Sequence, residues 1–254
     1  MEILFVLSLI NVYIYIYIYM YICIYISMIP KRIIQIYENH DLPMIYKIGQ
    51  EIIKEKSSNY EYIFYTECLM TQFVEMNYPQ YENLYNSLLV CNKNTLFILL
   101  ELYKNGGIYL DNDVILHRRM DELLENDCCI MPLSNNKIID NYCICSNKEN
   151  KFIFNLIFQI SIRYNSNTNF ITNKHIYEFY KTYKNKDKND IKVICGEYNH
   201  CFGNFLYNIK INSSSTEYPD WFKNNIYEIE TKKKVKKTLQ NDIKWLDNVK
   251  YNFL

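Results

Sequence analysis

The stretch LFILLELYKNGGIYLDNDVIL, Leu96 to Leu116, decides how the chain is read. Leu96, Leu99, Leu100 and Tyr103 recur at i, i+3, i+4 and i+7, the spacing of one apolar helix face. Asn94 or Thr95 is suited to cap its start, because either side-chain oxygen can accept from an orphan backbone N–H. Gly106 falls where a helix closes in a positive-φ residue, and Gly107 permits another backbone or a ligand to come close. Ile108-Tyr109-Leu110 and Val114-Ile115-Leu116 are apolar, β-branched runs of strand length. Between them stands Asp111-Asn112-Asp113. On an extended chain the two carboxylates share a side and Asn112 faces the other way. At a strand end they are hard oxygen ligands for Mn²⁺ or Mg²⁺, ions that leave positions open for phosphate oxygens. That chemistry suits the departure of a diphosphate, whose growing charge a metal neutralises. A bare D-x-D is more often a solvated loop, so the weight rests on the whole string.

Composition narrows the field. A chain of 254 residues holds one sizeable α/β domain. Its 28 basic and 28 acidic side chains balance, which gives no electrostatic case for a nucleic-acid partner. Nine cysteines, without a C-x-x-C, make neither a paired disulfide framework nor a zinc ribbon. Cys128-Cys129 and Cys143-x-Cys145 read as buried thiols of a reducing compartment. Four scattered histidines form no ligand cluster, and His200-Cys201 with Cys195 reads as packing.

LYKNGGIYLDNDVI resembles the signature of the DXD-containing sugar-binding glycosyltransferases. That family includes fungal initiating mannosyltransferases, capsular-polysaccharide transferases and, more distantly, the clostridial glucosylating toxins. The resemblance implies a single α/β domain of GT-A-like, Rossmann-like type, with a mixed sheet flanked by helices. It implies a metal-dependent transferase moving a hexose from UDP- or GDP-hexose to a hydroxyl acceptor on a glycan, lipid or protein, with retention at the anomeric carbon. Mn²⁺, or Mg²⁺, is the cofactor it implies. By that likeness Asp113 ligates the metal directly, and Asp111 contacts the donor ribose and the metal through water. Ile36, Tyr37, Gly106, Gly107 and Tyr109 join Asp111 around the donor.

Outward from the motif, Ile29–Tyr37 (IPKRIIQIY) resembles the family's opening strand, I-P-K-x-I-H-Q-x-W. Gln35 and Ile36 match; Ile34 replaces the His and Tyr37 the Trp, so Tyr37 is assigned to stack on the nucleobase. A helix over Leu42–Lys56 presents Ile45, Ile48, Ile52 and Ile53, and Tyr60–Thr66 reads as a second strand with Thr66-Glu67 where the family has Asp. Thr71–Leu88 is helical with a break at Pro79. Where the family places a donor-facing Asp and Arg, this chain has Thr95 and Ile98, so half of the donor grip is changed.

Beyond the motif, the pattern predicts strands at Cys128–Pro132, Tyr142–Ser146 and, as the last, Lys192–Cys195. It also predicts a helix over Lys151–Arg163 whose apolar face is Phe154, Ile157, Phe158 and Ser161, and another over Lys174–Tyr183. Asp121–Asn126 reads as a polar helix or turn, and Tyr164–Thr172 and Lys184–Asn189 as loops. Asn212-Ser213-Ser214 is a glycosylation sequon. The tail Thr231–Tyr251 carries Val235, Leu239, Ile243, Leu246 and Val249 on one helical face, with Lys232–Lys237 on its solvated side. Neither Trp221 nor Trp245 sits in the family's Ser-Trp context.

The chain divides into a hydrophobic segment, residues 1–28, and a domain of residues 29–254. Residues 3–29 are apolar for long enough to span a bilayer, which makes the protein membrane-anchored if they are translated and inserted and cytoplasmic otherwise. The alternating Tyr-Ile run is also what a T–A repeat encodes, with Met28 as the true start, and Lys31 and Arg32 follow the segment rather than precede it. Two other functions remain open. One is a degenerate glycosyltransferase-like binding protein. The other is a phosphatase of haloacid-dehalogenase type, whose D-x-D-x-[TV] motif would make Asp111 a nucleophile.

Overall fold

The computed structural model describes residues 14–15, 28–116, 118–122, 124, 129–134, 138–165, 173–184, 190–195 and 206–208. Outside them lie Cys128, His200, Cys201, the sequon, both tryptophans, the C-terminal amphipathic pattern, residues 166–172 and 185–189 of the two predicted loops and nearly all of residues 3–29, whereas Tyr164, Asn165 and Lys184, expected in those loops, are helical. No helix among the described residues is long and apolar enough to cross a membrane.

Strands β1 (Arg32–Ile36), β2 (Glu61–Tyr65) and β3 (Gly107–Leu110) form a parallel group with β1 in the middle. Connecting them are α1 (Met44–Lys56), then α2 (Glu67–Asn77), a 3₁₀ turn at Pro79–Tyr81, α3 (Glu82–Ser87) and α4 (Val90–Asn105). After the motif come β4 (Val114–Leu116), β5 (Cys129–Ser134), β6 (Ile138–Ile139) and β7 (Cys143–Ser146). Helices α5 (Lys151–Asn165) and α6 (Asn173–Lys184) precede β8 (Lys192–Cys195) and β9 (Leu206–Asn208). The main sheet has seven strands in the order β2-β1-β3-β7-β5-β6, with β8 pairing in parallel to β5. Because β7 runs antiparallel to both β3 and β5, the sheet is mixed. This is the mixed, helix-flanked sheet expected of a GT-A-like domain, and β4 with β9 makes a separate antiparallel pair.

Alternation along the strands builds a core on each face. Ile34, Ile36, Tyr109 and Ile144 pack against α2 to α6, while Ile33, Ile108, Leu110, Cys143 and Cys145 pack against Ile53 of α1 and against β4. Ile45, Ile48, Ile52 and Ile53 are buried as the helical spacing required.

Helix α4 departs from expectation at its start. It begins at Val90, after Leu89, and no side chain caps it. Thr95 therefore lies inside the helix, where its hydroxyl donates back to the Cys91 carbonyl at 3.0 Å. Every residue from Thr95 to Leu102 is buried, Glu101 included, so α4 is enclosed rather than one-faced. Helix α2 also starts early, because Thr66 caps it by accepting from the Leu69 N–H. The face assigned to α5 is displaced: Phe152, Ile153, Leu156, Ile157 and Ile160 are buried, whereas Phe154 and Phe158 are about half exposed. A helix with apolar residues on more than one side leaves that choice to the neighbours, here α4 and α6. Strand β8 is present but is not the last, since β9 follows, and the two-residue β6 carried no periodic signal. Among the described cysteines, Cys68, Cys91, Cys129, Cys143 and Cys145 are not joined in disulfides, and the last three are buried.

Candidate functional site

The glycine pair starts β3. Gly106 closes α4 at φ +65°, its N–H donating to the Leu102 carbonyl at 2.9 Å. A Cβ there would lie 2.7 Å from Pro30 Cδ and 2.9 Å from the Lys148 nitrogen. Gly107 holds φ +123° and a Cβ would stand 2.9 Å from the Arg32 carbonyl oxygen. The close approach is thus made by β1 of the same chain.

Three residues on, β3 ends in Asp111-Asn112-Asp113. The segment is a turn, not an extended strand: the Val114 N–H donates to the Asp111 carbonyl at 3.1 Å, and the Asn112 N–H to Asp111 Oδ1 at 2.8 Å. The alternation expected there is corrected, because β3 and β4 belong to different sheets and the chain must bend between them. Tyr109, buried in β3, has its phenol pushed well above the ordinary range, by burial first and then by the charges of Asp111 and Asp113.

The turn is held from beneath. Asn112 Nδ2 donates to the Ile36 carbonyl at the end of β1. Gln35 Nε2 donates to the Asp111 carbonyl at 3.3 Å, and the Tyr62 hydroxyl donates to Gln35 Oε1 at 2.6 Å. The Asp111 N–H reaches the Tyr142 carbonyl at 2.8 Å. Gln35 is a lone amide in the buried strand RIIQI, and that misfit was the sequence signal for its role.

Above the turn opens a cleft of about 360 Å³, at the carboxyl ends of β1 and β3. Ligands of open α/β sheets bind at such ends. Its lining brings together the predicted Ile36, Tyr37, Tyr109 and Asp111, with Thr95 and Ile98, the two residues that depart from the family pattern. Tyr37 is half-buried and meets Tyr46 edge-on, ring centroids 6.2 Å apart. Asp113, in the turn itself, is buried and outside the lining, as are Gly106 and Gly107 at the opposite end of β3. Sequence reasoning missed Glu38, Tyr46, Cys91, Asn94, Asn112 and Asn141 as lining residues. Cys91, Asn94, Thr95 and Ile98 share the i, i+3, i+4, i+7 spacing, so their common face was readable once α4 was started a turn earlier.

The donor set suits a hard divalent cation in part from protein and in part from substrate. Asn112 Oδ1 is buried and has no hydrogen-bond partner among the described residues, leaving a hard oxygen beside the Asp111 carboxylate. No group of three or more His, Cys, Asp or Glu forms a closed cage among the described residues. Few protein ligands with open positions is the arrangement phosphate-bound Mg²⁺ or Mn²⁺ uses.

Comparison with known proteins agrees with the motif. Residues 46–130 match the family model described as the glycosyltransferase sugar-binding region containing DXD motif. The resemblance read from LYKNGGIYLDNDVI is therefore borne out. The chain is 31% identical over 116 residues to inositol phosphoceramide mannosyltransferase 3 of Schizosaccharomyces pombe, covering 45% of this chain and 33% of that protein. It is 31% identical over 102 residues to a mannosyl phosphorylinositol ceramide synthase of Saccharomyces cerevisiae, covering 39% of this chain and 26% of that one. The chain thus spans a third or less of the length of these curated relatives. Among solved structures it is similar to the PaToxG glycosyltransferase, with a TM-score of 0.47 and 16% identity over 63% of this chain and 71% of that one. It is also similar to the ligand-free glycosyltransferase domain from the YGT toxin, with a TM-score of 0.38 and 11% identity over 64% of this chain and 68% of that one.

Proposed function

We propose that the protein is a metal-dependent, retaining glycosyltransferase that moves a hexose from UDP- or GDP-hexose to the hydroxyl of a glycan, lipid or protein acceptor, using a domain that begins at residue 29. The observation that carries this reading is the placing of Asp111, on the turn that ends β3, in the lining of a cleft that also holds Tyr37, Tyr46 and Tyr109. The match over residues 46–130 supports it, and sets the phosphatase alternative aside. The Schizosaccharomyces pombe relative is by name an inositol phosphoceramide mannosyltransferase, which makes mannose the first hexose to test and a lipid the first acceptor.

In this reading Asp113 and Asp111 would hold Mn²⁺ or Mg²⁺, and Asp111 would also hydrogen-bond the donor ribose. When bound, the cation supplies Lewis-acid charge at the diphosphate. Tyr37 stacks on the nucleobase, and Ile36 and Tyr109 wall the donor. Gln35 and Asn112 fix the turn and so position both carboxylates. Gly106 and Gly107 lie outside the cleft and serve the fold, by setting where β3 starts. The acceptor hydroxyl attacks the anomeric carbon from the side the diphosphate leaves, and the departing phosphate oxygen can take its proton.

The test is donor hydrolysis by the full chain with UDP- and GDP-hexoses and Mn²⁺. Turnover of one donor, abolished by EDTA and lowered at least about 100-fold in Asp113→Ala, is the expected result. Absence of turnover together with absence of metal-dependent donor binding would mark the chain as a degenerate binding protein, the reading that Thr95 and Ile98 favour.

A further inference from the structure

Helix α5 keeps one side out of the core, and that side is apolar. Phe154, Phe158 and Ile162 recur at i, i+4 and i+8, a single stripe, and each is about half exposed. The helix is held on its other side by Phe152, Ile153, Leu156, Ile157 and Ile160, so the stripe adds little to the core. At its amino end the stripe meets basic charge. The Tyr103 ring near the end of α4 lies 5.6 Å from the Phe154 ring, and the Glu149 N–H donates to the Tyr103 carbonyl at 2.8 Å. These contacts join the end of α4 to the start of α5. Lys104, Lys148 and Lys151 stand around that junction, all exposed and none ion-paired among the described residues. Across residues 103–106 and 148–165, Glu149 is the only acid.

We propose that this face rests on an anionic lipid bilayer, with Phe154, Phe158 and Ile162 entering the headgroup layer and Lys104, Lys148 and Lys151 meeting lipid phosphates beside them. Area and charge select this occupant. Three half-exposed side chains offer roughly 100 Å² each, well short of the roughly 800 Å² that each partner buries in a stable protein complex. A second copy of the chain would add lysines to lysines. A bilayer needs neither a matching groove nor a large area. Apolar side chains gain free energy on leaving water, and each nearby lysine is drawn to the negative surface. The long lysine stems lie along apolar surface while their ammonium groups stay at headgroup level. The inference does not depend on the donor chemistry of the cleft.

Because residues 3–29 are themselves apolar, attachment of the whole chain does not isolate α5, and the test reads contact at single positions. The full chain carries the photoreactive residue p-benzoylphenylalanine in place of Phe158 or, for comparison, of Glu55, which is exposed on α1 at the opposite face of the sheet. It is irradiated with vesicles of phosphatidylcholine alone or with about 30% phosphatidylserine, and adducts are measured by mass spectrometry. The expected result is lipid adducts at position 158 at least about tenfold more abundant with phosphatidylserine than without it, and at least about fivefold above position 55. Lys104→Gln, Lys148→Gln and Lys151→Gln together should lower them at least about tenfold. Salt at about 0.5 M should do the same to the protein with its lysines intact, which covers a variant that folds poorly. Adducts at 158 within about threefold of those at 55, or within about threefold on the two vesicles, overturn the proposal. So do adducts that neither the lysine changes nor salt reduces, cross-links between two copies in place of lipid, and the absence of any lipid adduct. No nucleotide enters the measurement, so each of these outcomes leaves the transferase reading standing.

Discussion

Strands β1 and β3 are treated in opposite ways at their two ends. At the amino ends, a buried carboxylate, Glu101, is engaged by several donors around the partly buried Arg32. The Arg32 guanidinium reaches Glu101 Oε1 at 3.0 Å, Glu61 Oε2 at 3.0 Å and the Gly106 carbonyl at 2.9 Å. Glu101, whose side chain has no exposed surface, also accepts from the Tyr65 hydroxyl at 3.2 Å and from Asn105. At the carboxyl ends, Asn112 Oδ1 is buried with no partner among the described residues, and the turn borders an open cleft. The strands join the two ends at a separation of a few residues, yet one end binds its buried carboxylate several times over and the other leaves the Asn112 Oδ1 acceptor open. Buried polar groups are costly unless satisfied, so the unfinished end is where a ligand has most to contribute.

The contrast can be broken from the satisfied end. Glu101→Ala should lower stability by about 3–5 kcal/mol, because it strips the buried partner from Arg32. Urea denaturation checks this; a loss below about 1 kcal/mol would show that desolvation had already offset the pair. Gly107→Ala should cost roughly 1–3 kcal/mol, since an L residue at φ +123° would press its Cβ on the Arg32 carbonyl. Nucleotide affinity of the folded Gly107→Ala variant should be unchanged, and a matching loss of affinity would mean that strain is transmitted along β3 to the cleft.

The smallest effect is at the rim of the same end. Asp121 bonds Lys31 and also Tyr60 and Arg119, which hold its carboxyl down at about 2. The unfolded chain, with its ordinary value near ~3.9, binds more protons through the interval between these values. Stability is therefore present above that interval and lost as pH falls through it. As a partly exposed pair its share should stay below about 1 kcal/mol. Comparing wild type with Asp121→Asn between neutral pH and pH ~2 isolates it; an unaltered pH profile would remove Asp121 from the account.

Much of this was legible in residue order, and the exceptions have a common cause. Gly106 and Gly107 announced the end of α4 and the start of β3 because positive φ is a local demand. Ile45, Ile48, Ile52 and Ile53 announced the buried face of α1 because helical spacing is local too. The start of α4 was misplaced: Asn94 and Thr95 look like caps, but packing of Thr95 to Leu102 extends the helix a turn earlier. On α5, where apolar residues occupy more than one side, periodicity could not choose between Phe154 with Phe158 and Phe152 with Leu156. Asn141 reaches the cleft from beyond β6, a proximity that no spacing in the sequence encodes.

By itself the sequence determined the α/β class, the helix–glycine–strand–carboxylate order and the resemblance that residues 46–130 bear out. Each follows from local conformational preference or from a contiguous motif. Only the tertiary structure decided that Asp111-Asn112-Asp113 is a turn, that Arg32 and Glu101 seal one end of the strands, and that Cys91, Asn94, Thr95 and Ile98 of α4 share a cleft with Asp111. Those outcomes depend on segments distant in sequence being brought together in a low-dielectric interior, where the worth of a charge is set by its neighbours rather than by its own identity.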